Sequence, residues 1–305
     1  MDFFVQQLVN GVTLGSVYAL IALGYSMVYG ILKLLNFAHG EVYMIGAFIG
    51  YFVLTALGGA ADPVLPVALV LVLMFLAGML GAGILGVGIE RFAYRPLRNA
   101  PRIAPLISAI GVSFFLQASA LLLFTAQFRT YDTPELIPFT TGIDAGPLRI
   151  SLVRILVISS AIFLMIALWY LVNRTRLGKA MRATSYDREA AAMMGIDVDR
   201  VIVATFFIGS VLAGAAGVMV GLVFGRVFHF MGFVAGLKGF TAAVIGGIGS
   251  IPGAMLGGML IGLAEAFSAG YISSTFQNLI VFLLLITLMI VRPTGLLGSP
   301  VLQKV

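Results

Sequence analysis

The chain has 305 residues, of which 61% are hydrophobic and only 10% charged, with a net charge of +6. Soluble domains carry about 25% charged residues, so a water-soluble fold is excluded; the absence of cysteine removes disulfides, thiolate metal ligands and a cysteine nucleophile. With two histidines a multi-histidine metal site is not expected, and the basic residues flank apolar runs, as topology signals beside lipid headgroups do, rather than forming a nucleic-acid surface.

The first apolar run extends from about Leu8 to Gly30 and is punctuated by Gly11, Gly15, Ser16 and Gly24. No Lys or Arg precedes Lys33 and the start lacks the basic region of a cleaved signal, so the N-terminus is expected outside. The connector "ILKLLNFAHGE" leads to a second span ending near Leu57, and a third, glycine-rich span covers about Val64 to Ile89. The basic loop "ERFAYRPLRNAPR" follows, with Arg91, Arg95, Arg98 and Arg102 as topology signal and headgroup contact, contact of "YRPLR" with a peripheral subunit as the alternative, and Glu90 pairing with the neighbouring arginines. A fourth span, about Ile103 to Phe124, precedes a mixed-charge loop with Pro134, Pro138 and Pro147 that is expected outside. The fifth span ends at Asn173, and the sixth runs from Val201 to about Phe224. The seventh apolar region, "GFTAAVIGGIGSIPGAMLGGMLIGLAEAF", reads as two short helices meeting at "GSIPG", with Ser250 as cap and Pro252 in the first turn. The last span, Phe276 to Val291, ends in "RPTGLLG".

Assigned this way, the inner segments hold 13 of the 18 basic residues, including Arg102 and the C-terminal Lys304. The positive-inside rule then favours N-terminus out, C-terminus in. The fold expected is all-α: one polytopic transmembrane bundle of about eight spans over residues 1–305, with a broken helix pair and a short cytoplasmic helix. Close small residues such as Gly81 with Gly83 and Gly209 with Ala213 are expected to let helix backbones approach.

Three features bear on function. The break at Gly246, Gly247, Gly249 and Pro252 places irregular backbone at membrane depth, which survives only where protein covers it or water lines it. Discontinuous helices are candidate pathway elements; a kinked helix inside the bundle is the plainer alternative. "NFAHGE" groups Asn36, His39 and Glu41, which either tie helix ends at the inner interface or line a route, and Glu265 stands in a similar position.

The third feature is the segment 174–200, with ten of the thirty charged residues. Thr184 and Asp187 fit a capping box, Ala190 to Ala192 favour helix, and Gly195 fits the residue beyond its end. A helix of about ten residues, some 15 Å long, is marginal alone in water. Tyr186, Ala190, Met193 and Met194 share an apolar face, so the helix needs something to pack against: its own domain or a separate soluble subunit. The only Gly-Lys pair, Gly178-Lys179, lacks the rest of a phosphate-binding loop, so any ATPase must be another chain.

The spelling "EAA", three residues, then Gly195 resembles the coupling loop of ABC importer permeases, although Thr205-Phe206-Phe207-Ile208 replaces the family's Ile-x-Leu-Pro continuation. The blocks "NGVTLGSVYALIALGYSMVYGI", "NFAHGEVYMIGAF", "ERFAYRPLR", "ISAIGVSFFLQ", "GFTAAVIGGIGSIPGAMLGG" and "RPTGLLG" together resemble the LivH-type permease of bacterial branched-chain amino acid importers. These blocks leave mainly the loop 125–149 unmatched. The resemblance implies an inner-membrane permease subunit for branched-chain or other hydrophobic amino acids. It implies two ATP-binding subunits that hold ATP and Mg, a second LivM-type permease and a periplasmic amino-acid-binding protein. It also assigns ATPase coupling to Thr184, Asp187, Glu189, Ala190, Gly195 and Ile196, with no cofactor, metal or catalytic residue in this chain. The competing reading is a self-sufficient ion-coupled transporter or channel using His39, Glu41 or Glu265; an intramembrane enzyme built on His39 and Glu41 lacks a converging nucleophile or metal set.

Overall fold

The computed structural model describes residues 2–98, 100–101, 103–138, 141–145 and 148–298. Arg102, Pro147 and Lys304, which figure in the topology reading, lie outside the described residues.

The apolar runs become long helices because backbone N–H and C=O groups in hydrocarbon must be satisfied within the segment. In chain order they are α1 (Asp2–Leu32), α2 (His39–Ala56), α3 (Val67–Ile89) and α4 (Ile103–Phe124). A one-turn α5 (Thr133–Leu136) precedes α6 (Leu152–Arg174), and two short helices, α7 (Arg176–Tyr186) and α8 (Arg188–Met193), lead to α9 (Val198–Phe224). The chain closes with α10 (Met231–Gly246), α11 (Ile251–Tyr271) and α12 (Gln277–Val291). Among the described residues seven helical segments are long and apolar enough to cross a membrane, so the chain is a multi-pass membrane protein. The 18-residue α2, with His39 and Glu41 in its first turn, and the 16-residue α10 stand beside these seven.

Helix α1 is the central post: it is buried over most of the stretch from Gly11 to Leu32 and packs on α9, α10 and α11. Helices α2, α3 and α9 form a second tight group, while α4, α6 and α12 lie at the periphery. Glycine governs the closest crossings. A Cβ at Gly46 would stand 2.5 Å from Gly214 Cα, and one at Gly15 would stand 2.8 Å from Met259 Cα. The small residues singled out in the sequence do pack: Gly209 meets Gly24, and Gly81 and Gly83 seat Ile49 and Phe207.

Three elements differ from the expectation. The stretch "ERFAYRPLR" is no loop; it continues α3 as a π-turn (Glu90–Tyr94) and a 3-10 turn (Arg95–Leu97). It is held by ion pairs of Arg98 with Glu90 and Asp199, and of Arg95 with Asp199 at 2.8 Å. Glu90 therefore pairs with a neighbouring arginine, as expected. The loop after α4 carries β1 (Arg129–Thr130), β2 (Gly142–Ala145) and β3 (Leu148–Ser151), with β2 and β3 forming a hairpin and β1 pairing with β4 (Arg226–Val227). Tyr131 anchors that loop: it is fully buried and donates its hydroxyl to Ala47 O. Finally, the broken region is not two short helices. Only α10 is short, at about 24 Å by helical rise; α11, with 21 residues, is long enough to cross on its own.

Contacts of Gly246 with Gly253 and of Ala242 with Gly257 show that α10 and α11 run antiparallel. Their junction is covered by the C-terminal segment. Leu296 N donates to Ile245 O and Leu297 N to Gly246 O, each at 2.9 Å, which satisfies carbonyls orphaned at the end of α10.

Candidate functional site

The charged segment between α6 and α9 folds as two helices rather than one. Asp187 adopts an extended conformation, with φ −154° and ψ 117°, and breaks the chain between α7 and α8. Its carboxylate accepts from Glu189 N at 3.0 Å and Ala190 N at 3.1 Å, so Asp187 is itself the N-cap of α8. The capping box headed by Thr184 is thereby corrected: Thr184 is a buried residue of the last turns of α7, and its hydroxyl has no partner among the described residues. Helix α8 is six residues long, not about ten, because its cap falls three residues later than expected.

Its far end is as expected. Gly195 has φ +81°, with Gly195 N bonded to Ala192 O and Ile196 N to Ala191 O. This six-to-one and five-to-two pattern ends helices where a left-handed residue is tolerated. Asp197 then caps α9 by accepting from Arg200 N. Ala191 is buried beneath α8, whereas Tyr186, Met193 and Met194 are 89%, 82% and 83% exposed. The apolar side chains anticipated from the sequence are therefore exposed, but on two helices rather than one face, since Tyr186 closes α7 and Met193 closes α8. Glu189, Ala190 and Gly195 are exposed with them, and Ile196 is half-buried.

Sequence reading missed what ties this segment to the bundle. Arg188, the first residue of α8, donates from Nη2 and Nε to Ile31 O at 2.7 and 3.3 Å. That carbonyl belongs to the last turn of α1, so a single guanidinium links the exposed helix to the central post. Burial, and secondarily the charge of Arg98, hold the Arg188 guanidinium below its ordinary pKa. No local pattern marks this contact, which spans 157 residues of sequence.

Inside the bundle the three residues of "NFAHGE" part company. Asn36 does tie ends together: Tyr94 donates its hydroxyl to Asn36 Oδ1 at 3.2 Å and to Leu35 O at 3.1 Å. His39 and Glu41 are not at the helix ends of their neighbours. The His39 ring lies 4.8 Å from that of Tyr25, and its edge fills the space a side chain at Gly24 would take. Gly24 is about 12 Å along α1 from its end at Leu32 by helical rise. Glu41 Oε1 accepts from Gln117 Nε2 at 2.7 Å and Ser113 Oγ at 3.1 Å, both on α4. Gln117 is about 21 Å along α4 from its start. Helix α2 thus begins deep in the bundle, after the non-helical stretch from Lys33 to Ala38.

Glu265 occupies a different site. Lys238 Nζ of α10 lies 2.7 Å from Glu265 Oε1, and Tyr18 of α1 donates its hydroxyl to Glu265 Oε2 at 2.8 Å. All three are buried. Lys238 escaped the sequence reading although a lone lysine inside "GLKGFTAAVIGG" is itself a signal, since an ionisable residue at that depth needs a partner. At the break, Gly247 and Gly249 have φ +103° and +88°, Gly249 sits 3.6 Å from Gly30 Cα measured from its would-be Cβ, and Ser250 caps α11 through Gly253 N. Pro252 occupies the first turn of α11, and Gly246 packs on Gly253.

Comparison with known proteins agrees with this arrangement. Residues 7–291 match the family described as "Branched-chain amino acid transport system / permease component". The chain is 45% identical to the high-affinity branched-chain amino acid transport system permease protein BraD of Pseudomonas aeruginosa, across 99% of this chain and 98% of that protein. It is 44% identical to the permease protein LivH of the corresponding Escherichia coli system, with the same coverage. A fructose import permease protein of Rhizobium meliloti, FrcC, is 34% identical over 36% of this chain and 31% of its own length. With a match over most of the chain and relatives aligned nearly end to end, this membrane protein belongs to the branched-chain amino acid transport system permease family.

Proposed function

We propose that the chain, as a single transmembrane domain, is the permease subunit of an ATP-driven importer that moves branched-chain or other hydrophobic, neutral amino acids across the bacterial inner membrane. Relatives aligned over 99% of the chain are named as permeases of high-affinity branched-chain amino acid systems, which supports the cargo class. In this reading two separate ATP-binding subunits hold ATP and Mg and supply hydrolysis. A second, homologous permease pairs with this chain, and a periplasmic binding protein delivers the cargo. The N-terminus faces outside and α7–α8 face the cytoplasm, in keeping with the basic residues gathered beside them.

The observation that carries the reading is α8. It is capped at both ends, exposes Met193 and its C-cap Met194, with Tyr186 exposed at the end of α7, and is joined to α1 by Arg188. An exposed apolar patch on a short, rigidly bounded helix is a docking surface. Thr184, Asp187, Glu189, Ala190, Gly195 and Ile196 would build and present it, and a push on α8 would reach the bundle through Arg188 and Ile31. Asn36, His39, Glu41, Glu265 and the break at Gly246, Gly247, Gly249 and Pro252 would serve the pathway or its gating.

The test is to purify the chain with its partner subunits, reconstitute the complex in liposomes and supply binding protein loaded with leucine, isoleucine or valine. Loaded binding protein should stimulate ATP hydrolysis and drive uptake. Gradient-driven uptake by the chain alone, without ATP, would instead establish the ion-coupled alternative. That alternative is not favoured: the near full-length relatives are named as components of transport systems, and Glu265 is already neutralised by Lys238.

A further inference from the structure

Among the described residues three carboxylates are buried in the bundle: Glu41, Glu90 and Glu265. Glu90 is paired with Arg98 and Glu265 with Lys238. Glu41 has no cation partner among the described residues. Its Oε1 accepts two hydrogen bonds from α4, but its Oε2 is buried with no hydrogen-bond partner among the described residues. A carboxylate in a membrane bundle is costly, and one with an idle oxygen costs more than a glutamine would in the same place. Packing does not call for it.

Beside it lies a cavity of about 230 Å³ between α1, α4 and α10. Its lining includes Tyr25, Phe37, Ile110, Ser113, Phe114 and Gly232. Two of these residues touch the carboxylate. Ser113 donates to Oε1, and a Cβ at Gly232 would strike Oε2, so the free oxygen stands directly behind a wall that lacks a side chain. The exposed Phe114, and Phe233 next to Gly232, mark where the cavity opens between α4 and α10. The volume falls below the roughly 300–1,000 Å³ of pockets for drug-sized ligands, a size suited to a single small metabolite.

We propose that Glu41 is a passing subsite for the α-ammonium group of the transported amino acid, with this cavity seating the apolar side chain. The assignment rests on the importer reading above and deepens it. The chemistry is complementary in two respects: a cation meets the one unpaired buried carboxylate, and a hydrocarbon side chain meets aromatic and aliphatic walls. No cation in the lining receives the cargo's own carboxylate, so the contact is partial. A partial contact suits a transport route, where binding must be favourable enough to enter and weak enough to leave.

Glu41→Gln keeps an acceptor for Ser113 and Gln117 and removes only the charge. In the complete importer, purified with its partner subunits and reconstituted, radiolabelled leucine uptake should fall at least tenfold. ATPase stimulation by leucine-loaded binding protein should stay within twofold of the unmodified complex, and the unfolding temperature should not drop. Ile110→Trp, at a half-exposed position of the lining, should reduce leucine uptake several-fold more than valine uptake. Undiminished leucine uptake in Glu41→Gln overturns the subsite. So does a loss of uptake accompanied by a lower unfolding temperature or failed assembly, which makes Glu41 a packing residue. Equal effects of Ile110→Trp on both amino acids remove the side-chain seat. The unmodified importer guards the premise: if it carries neither leucine nor valine, the cargo assignment fails first and independently of Glu41.

Discussion

At Lys238 and Glu265 two buried side chains of opposite charge meet at 2.7 Å, with the Tyr18 hydroxyl donating to the other carboxylate oxygen. Removing one partner leaves the other charged and unpaired, at a cost of about 3–5 kcal/mol, whereas replacing both by apolar residues of similar volume is often neutral. Lys238→Met should therefore lower the thermal unfolding midpoint of the purified protein markedly, and adding Glu265→Leu should recover most of the loss. Equal midpoints for the unmodified chain and the single variant would show that the pair holds nothing together. Legibility in the sequence was uneven at this scale. Glu265 stood out as a lone acid in an apolar run, but its partner lies 27 residues away on another helix, and only the antiparallel packing of α10 on α11 brings them together. Likewise Asn36, His39 and Glu41 are neighbours in sequence yet face Tyr94, Tyr25 and α4 respectively.

Helix α8 works as an element because both of its ends are fixed. Gly195 at φ +81° lies in the left-handed region, where a β-branched residue is strained by about 1–3 kcal/mol. Gly195→Val should leave insertion and ATP hydrolysis measurable while reducing hydrolysis-driven uptake in the reconstituted complex. Full coupled uptake in that variant would remove the helix end from the coupling route. Arg188→Ala deletes the link to Ile31 O without touching the exposed face. It should keep the ATP-binding subunits attached in co-purification yet lower uptake per ATP hydrolysed several-fold. An unchanged ratio would mean that motion reaches α1 by another path. Gly195 as the terminator of α8 was readable from the sequence alone, but the face shared by Tyr186, Ala190 and Met193 was read on one continuous helix, which the break at Asp187 divides between α7 and α8. The cap was not readable, because Thr184 and Asp187 both offer a capping side chain, and the choice depends on where the backbone turns extended to bring α8 under α1.

For the whole molecule, the C-terminal segment acts as a clasp. Backbone N–H groups of Leu296 and Leu297 occupy the last carbonyls of α10, and Gly295 and Gly298 pack against Gly247. Ending the chain after Pro293 should expose those carbonyls and speed proteolysis at the α10–α11 junction relative to the full chain, read by limited digestion in detergent. Indifference to the truncation would show that the break is self-supporting.

Composition and hydropathy alone determined that this is a multi-pass helical membrane protein, since apolar runs of this length have no stable aqueous alternative and must satisfy their own backbone. They also located most helix boundaries, the α10–α11 break, and the exposed amphipathic segment, all set by local chemistry: charge, glycine, proline and periodicity. The tertiary structure decided the rest. Only packing could show that α11 is full-length, that α2 starts deep in the bundle, that Glu265 is neutralised while Glu41 is not, and that Arg188 reaches α1. Each of these depends on pairs far apart in the chain, and no local preference encodes which distant side chain will meet a buried charge.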